Sequence, residues 1–434
     1  MKRSLGRLLA VRKPRLGWKV LASLAITALQ ISLALLATGQ GSQSTIPNIP
    51  LALQAKAKLI LDGTNPLEKL CAWDCLWYWH IAEQGYRSSL PPASQDPDRA
   101  NVAFFPATPL AARAVRTVTG VNWPMALLLV SWLAAVAFWW YVLALLADWG
   151  IRPWVTAFAV FAIFAHPASL YLVAGYSESL FLMAVLGFVY WSERARHTEG
   201  AFAIAPVMAA LHGFTMTATR IVGIPLAGYP AVRSIVLSVL MRKMPGRILG
   251  RDLVLSAVAA AGAFVFFVFC QLKFGLWNLY METQQIGWGL GKDYLLPLHL
   301  LSYKWSRTNA KFVIWFALAL LEVILTEVAL RRRSREQSTE RWSARLSALY
   351  LALCLFYISA SGTASANFAS FIRYSLAVAV ILALIAADLW SLARLPRRVA
   401  WITAVALFVG LSFSLVQWGF FKMAMSHFRG FFFA

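Results

Sequence analysis

Long apolar runs separated by short polar or basic stretches make up most of this chain. A helix needs about 20 apolar residues to cross a hydrocarbon core of about 30 Å, so each long run reads as a membrane span. Eleven are expected, at about 20–38, 122–147, 154–173, 179–191, 201–217, 221–241, 253–272, 312–330, 346–360, 374–392 and 400–417. The expected fold class is all-α: one polytopic membrane domain, 1–434. Some runs, notably 179–191, are short for a full crossing.

Two stretches break the pattern. Residues 39–121 are mixed and rich in Gly, Pro and Ser, and 273–311 are similarly irregular, so both read as extracytoplasmic loops, the first with its own short amphipathic helices. In the first loop, 102–110 (VAFFPATPL) carries two prolines, which favours an interfacial or re-entrant helix over a simple span. The stretch 71–86, CAWDCLWYWHIAEQGY, sets one acid, Asp74, among aromatic rings. As a helix it aligns Trp73, Trp77 and Ile81 on one stripe and Asp74, Tyr78 and Ala82 on the next, with Gly85 as the stop. That predicts an amphipathic helix on the membrane surface, aromatic side down, holding a carboxylate at the water boundary.

Composition agrees with the hydropathy pattern. Hydrophobic residues make up 60% and charged ones 13% of the chain, against about a quarter charged in soluble proteins. The formal charge of +22 does not point to nucleic acid, because the basic residues sit in short runs between apolar segments rather than on one face. They act as topology signals. The basic start 1–19, then Arg242, Lys243, Arg247 and Arg251, the segment 331–345, and Arg394, Arg397 and Arg398 all fall on one side, expected to be cytoplasmic. A cleaved signal peptide is the rival reading of the first run, whose length favours a span. An odd span count puts the C-terminus outside. Cys71 and Cys75 read as two free thiols rather than a strained bridge within one helix.

The outer side collects the candidate chemistry. Besides Asp74 it holds 166–179 (HPASLYLVAGYSES), Arg220, 280–288 (YMETQQIGW) and Arg373-Tyr374. Ionisable groups at a membrane boundary are costly to hold and so are site candidates. The plainer readings are that Glu178 caps a helix N-terminus, that Arg220 and Arg373 snorkel to the interface, and that His166 is a turn residue. No HExxH, P-loop or GxGxxG motif is present. An enzyme of this kind would draw an activated donor from the lipid phase, as a polyprenyl phosphate.

These residues carry a resemblance. The pattern Trp73-Asp74, Trp77-Tyr78, Ile81-Ala82 and Gly85-Tyr86, then 103–106 (AFFP), Pro167-Ala168-Ser169 and Tyr176-Ser177-Glu178-Ser179, resembles the family of the second mannosyltransferase of glycosylphosphatidylinositol assembly and its bacterial relatives. Weaker echoes are Ala218-Thr219-Arg220, Gln285 with Trp288, Arg373-Tyr374 and 428–431 (FRGF). The chain departs from the family at His166, where Asn is usual, and matches it poorly after Tyr294. The resemblance implies a GT-C integral membrane glycosyltransferase with a lipid-phosphate sugar donor, an outward-facing site and an acid in the first outer loop, which maps to Asp74.

Chemistry suggests roles for the remaining residues. Asp74 is the expected base for the acceptor hydroxyl, with Glu178 orienting substrate or standing as the alternative base. Arg373 and Arg220 would stabilise the leaving phosphate. One base without a covalent partner implies inversion. Trp73, Trp77, Tyr78, Tyr86, His166, Tyr176 and Gln285 complete the expected substrate-binding set. No cofactor is required, although Asp74 with Glu178 would suit Mg or Mn. The expected partners are a polyprenyl-phosphate sugar, a glycan or glycolipid acceptor and the bilayer, with no nucleic acid; a partner membrane subunit is compatible with them. The expected location is the bacterial inner membrane, with the N-terminus cytoplasmic and the active site outside. A flippase of lipid-linked sugar is the rival function, disfavoured by the absence of an internal repeat, and a non-catalytic scaffold is a weaker one.

Overall fold

The computed structural model describes residues 16–39, 50–87, 90–93, 96–198, 200, 203–241, 246–290, 295, 307–333, 339–364 and 370–392. The basic start 1–15, the expected last span 400–417 and the closing 428–431 lie outside the described residues. In chain order the longer helices are α1 (Leu16–Gly39), α2 (Leu51–Asp62), α3 (Asp74–Gln84), α4 (Ala107–Thr119), α5 (Trp123–Asp148), α6 (Pro153–Ala165), α7 (Glu178–Ala195), α8 (Ile204–Thr219), α9 (Tyr229–Met241), α10 (Gly246–Phe274), α11 (Arg307–Arg333), α12 (Thr339–Thr363) and α13 (Phe371–Leu392). There is no strand among the described residues.

Among the described residues, five helical segments are long and apolar enough to cross a membrane: Gly17–Ala37, Trp123–Asp148, Gly246–Phe274, Arg341–Thr363 and Phe371–Ser391. Their outer faces are apolar as well. Leu21, Leu29 and Leu36 on α1 and Leu253, Phe264 and Val265 on α10 are exposed, as lipid contact requires.

In the core, α7 packs between α5 and α8, α8 packs on α10, α1 covers α5, and α13 joins α6, α11 and α12. The α8–α10 crossing is close because of Gly262, where a Cβ would overlap the Phe214 carbonyl oxygen. Small residues at such crossings let helix backbones approach.

Several expectations are corrected. The run 154–173 is not one helix: α6 ends at Ala165 and a buried 3-10 turn, Pro167–Leu172, follows, because Pro167 cannot continue the α-helical ladder. The run 221–241 is broken into a short turn, Gly223–Leu226, and α9. The α3 helix does not lay its aromatic side on lipid, since every residue from Cys75 to Ala82 is buried inside the protein. In the same loop α4 leaves apolar side chains open, exposing Leu110 and Val118.

Cys71 and Cys75 are also not free thiols: they form a disulfide, with Cα atoms 5.1 Å apart. Cys71 precedes α3, so the bridge staples the approach to the helix onto its first turn rather than straining the helix. Trp73, at φ 53, makes the turn between them.

Candidate functional site

The approach to α3 is tied down from three sides. The disulfide encloses Asp74 in a short ring, the Gly175 amide donates to the Leu70 carbonyl at 3.2 Å, and a Cβ at Gly175 would overlap Cys75 Sγ. The loop bearing Gly175 is pinned in turn by α5. Trp132 Nε1 donates to the Val173 carbonyl at 2.8 Å, and Ser131 Oγ donates to that of Tyr176 at 3.1 Å. Buried irregular backbone needs such partners.

This scaffold brings four of the sequence-selected side chains together. Arg373, in the first turn of α13, places Nη2 2.7 Å from Asp74 Oδ2, and its Nε donates to Glu178 Oε1. The same Glu178 oxygen accepts from Arg220 Nη1 at 2.6 Å. Glu178 is therefore a hub for two guanidiniums; its helix is preceded by Ser177, and no side-chain cap closes that end. The expectation that it merely caps α7 is corrected by these bonds. Snorkelling is likewise replaced by pairing for Arg220 and Arg373, whose side chains are only 17% and 15% exposed.

Aromatic rings fix the planes of both arginines. Arg373 lies 4.6 Å from the Tyr176 centroid and 5.1 Å from that of Tyr171, and Arg220 lies 4.8 Å from that of Tyr374. Tyr78 also borders the site. Burial pushes its phenol well above the ordinary value, and the negative charges of Asp74 and Glu178 add to the rise, so it stays protonated.

A small crevice of ≈ 20 Å³ borders the cluster. Glu178, Arg220 and Arg373 form its polar end, and Phe181, Leu376 and Ala377 are among its apolar walls. Among the described residues no group of three or more His, Cys, Asp or Glu side chains could hold a metal ion.

The other selected residues lie outside this contact set. Trp77 stacks on Phe104 at 5.4 Å and meets Trp288 edge-on at 5.0 Å. The Tyr86 hydroxyl donates to the Phe104 carbonyl at 2.8 Å. Trp73 forms the turn before Asp74 and is packed against both large hydrophobic clusters. His166 caps the 3-10 turn, its Nδ1 accepting from the Ala168 amide at 3.1 Å while Nε2 faces Ser375 Oγ at 3.3 Å. Because Ser375 Oγ donates to the Ile372 carbonyl, His166 holds its proton on Nε2. Gln285 is exposed, and Gln284 instead turns inward to the Ala103 carbonyl at 3.1 Å.

A second ionic layer went unnoticed in the sequence. Glu193 accepts from Arg233 Nε at 2.9 Å and from the Tyr229 hydroxyl at 2.7 Å, while Arg345 bridges Glu327 at 2.9 Å and Asp388 at 2.8 Å. Glu193 follows Glu178 by fifteen residues on α7, and Asp388 follows Arg373 by fifteen on α13. At 1.5 Å per residue the two layers are roughly 22 Å apart. The first cluster therefore sits at one end of the bundle. Charged residues inside apolar runs that find partners on other helices were the signal available for the second layer.

The sequence matches no family model and no curated protein. In three dimensions the chain is similar to the archaeal oligosaccharyltransferase AglB from Archaeoglobus fulgidus in complex with an inhibitory peptide and a dolichol-phosphate. The TM-score is 0.52 and the identity 13%, over 94% of this chain. The apo form of the Archaeoglobus fulgidus oligosaccharyltransferase gives a TM-score of 0.50 and 13% identity over 97% of this chain. In both cases the chain spans 56% of the length of the protein it matches. What this chain shares with that oligosaccharyltransferase is the fold of its helical bundle.

Proposed function

We propose that the protein is a GT-C membrane glycosyltransferase that moves a hexose, mannose by family resemblance, from a polyprenyl-phosphate donor to a hydroxyl of a lipid-linked or surface glycan. The observation that carries this reading is the convergence of Asp74, Glu178, Arg220 and Arg373 at one end of the bundle, beside a small crevice with an apolar wall. The fold supports it, and so does the solved relative in complex with dolichol-phosphate.

In this scheme Asp74 takes the acceptor proton and Arg373 with Arg220 holds the phosphate that leaves with its electron pair. Attack from the opposite face inverts the anomeric carbon. No metal enters the scheme. One oxygen of each carboxylate that would ligate Mg or Mn, Asp74 Oδ2 and Glu178 Oε1, is engaged by arginine.

The proposed topology has eleven spans in the bacterial inner membrane, with the basic segments cytoplasmic and the Asp74 loop and C-terminus outside. The Cys71–Cys75 disulfide supports that side for the loop, because disulfides persist in oxidising compartments.

The test is transfer by purified protein. A polyprenyl monophosphate hexose should be consumed, releasing polyprenyl phosphate and a glycosylated acceptor, and Asp74→Asn should lower turnover by roughly 10² to 10⁴-fold. Turnover with a nucleotide sugar in a preparation free of lipid carriers would refute the proposal. Movement of intact donor across a bilayer without transfer would instead mark a flippase.

A further inference from the structure

Arg373 is shared between two carboxylates of unequal standing. Glu178 has a 4% exposed side chain and one oxygen that accepts from both Arg373 and Arg220. Asp74 has a 19% exposed side chain and meets Arg373 through Nη2, at 2.7 Å. Two cations and two anions thus cancel, and one oxygen of Asp74, Oδ2, is engaged by a guanidinium whose positive charge makes the carboxylate a weaker base.

We infer that Arg373 is a latch operated by the donor: the donor's phosphate takes the place of Asp74 on Nη2 and so frees Asp74 to act as base, while Glu178 keeps the guanidinium in position. This rests on the reading above, that the donor is a polyprenyl-phosphate sugar and Asp74 the base.

The asymmetry decides which acid lets go. Releasing Arg373 from Glu178 would break up a buried, doubly bridged group, a costly change. Asp74 is more exposed and can be solvated when its partner leaves. A phosphodiester offers two non-bridging oxygens that share one negative charge, against the single Asp74 oxygen that Arg373 meets here. Tyr176 and Tyr171, beside the Arg373 plane, keep it oriented while Nη2 changes partner.

Transfer then proceeds with atoms balanced. Asp74 accepts the proton of the acceptor hydroxyl, and that oxygen bonds to the anomeric carbon. The bond from the anomeric carbon to the phosphate oxygen breaks, leaving its electron pair on the phosphate held by Arg373. An acceptor arriving first meets a carboxylate still paired with Arg373 and weakened as a base, so binding is ordered, donor before acceptor.

The latch makes a prediction that a simple base does not. If Asp74 competes with phosphate for Arg373, removing its charge strengthens phosphate binding by the coupling between them. Polyprenyl monophosphate carrying no sugar is titrated into purified wild type, Asp74→Asn, Asp74→Ser and Arg373→Gln, with tryptophan fluorescence as the readout. Both Asp74 variants should bind roughly fivefold or more tightly than wild type, and Arg373→Gln should lose most binding. Equal or weaker affinity in both Asp74 variants overturns the latch even if Asp74→Asn is inactive, an outcome that leaves the base assignment standing. Normal turnover by Asp74→Asn overturns both, since the latch then has no base to release. Absence of binding by wild type and both Asp74 variants overturns the donor class, and the latch with it.

Discussion

Glu178→Gln is the sharpest structural test of the charge cluster. The substitution preserves shape and removes one negative charge from an oxygen that accepts from two guanidiniums, Arg220 at 2.6 Å and Arg373. At an effective dielectric of 20, one such contact is worth about 6 kcal/mol of gross Coulomb energy. Desolvation offsets much of it. The net cost of removing one member of a buried pair is about 3 to 5 kcal/mol, because the partners stay buried with their charge uncompensated. Asp74→Asn loses a single contact of a partly exposed carboxylate, so its cost is about 1.5 to 3 kcal/mol. Thermal unfolding in detergent, followed by tryptophan fluorescence, should therefore rank wild type above Asp74→Asn and Asp74→Asn above Glu178→Gln. Adding Arg220→Gln to Glu178→Gln removes the stranded cation, and the double variant should be at least about 1 kcal/mol more stable than the sum of the single effects predicts. Additive effects, or a Glu178→Gln no worse than Asp74→Asn, would mean that Glu178 is not the hub described.

Three further outcomes follow from packing and pairing. Gly262→Ala should lower the unfolding temperature by the equivalent of about 1 to 3 kcal/mol, since the added methyl meets the Phe214 carbonyl and α8 must move away from α10; an unchanged melting profile would show that the crossing is loose. Gly175→Ala should unseat the Cys75 sulfur and leave more alkylatable thiol by mass spectrometry than wild type, with turnover falling in parallel. Arg345→Ala strands Glu327 and Asp388 in the second layer and should cost about 3 to 5 kcal/mol, while polyprenyl phosphate affinity measured on the surviving folded protein stays within about twofold of wild type, the additivity expected of distant sites.

The hydropathy pattern by itself determined the class of this protein. Apolar runs of span length with basic residues between them leave helices as the one way to satisfy the backbone in lipid, and the described chain is all-helical. Odd residues at the ends of those runs also singled out Asp74, Glu178, Arg220 and Arg373, because a charge beside an apolar run is costly and therefore conspicuous in the sequence.

Partnership and burial were decided only by tertiary structure. Arg373 meets an acid from the first loop and another from α7, far away in sequence, and no local pattern encodes which acid it takes. The aromatic stripes of 71–86 predict a surface helix, yet hydropathy does not say whether lipid or protein covers a tryptophan; α3 is covered by protein. The disulfide escaped for a similar reason. Spacing alone placed Cys71 and Cys75 in one helix, but α3 starts only after the turn at Trp73, which brings the sulfurs together. Asp388 sits inside an apolar run and Arg345 closes the basic segment 331–345, which reads as a topology signal, and they became a layer only when α11, α12 and α13 packed side by side.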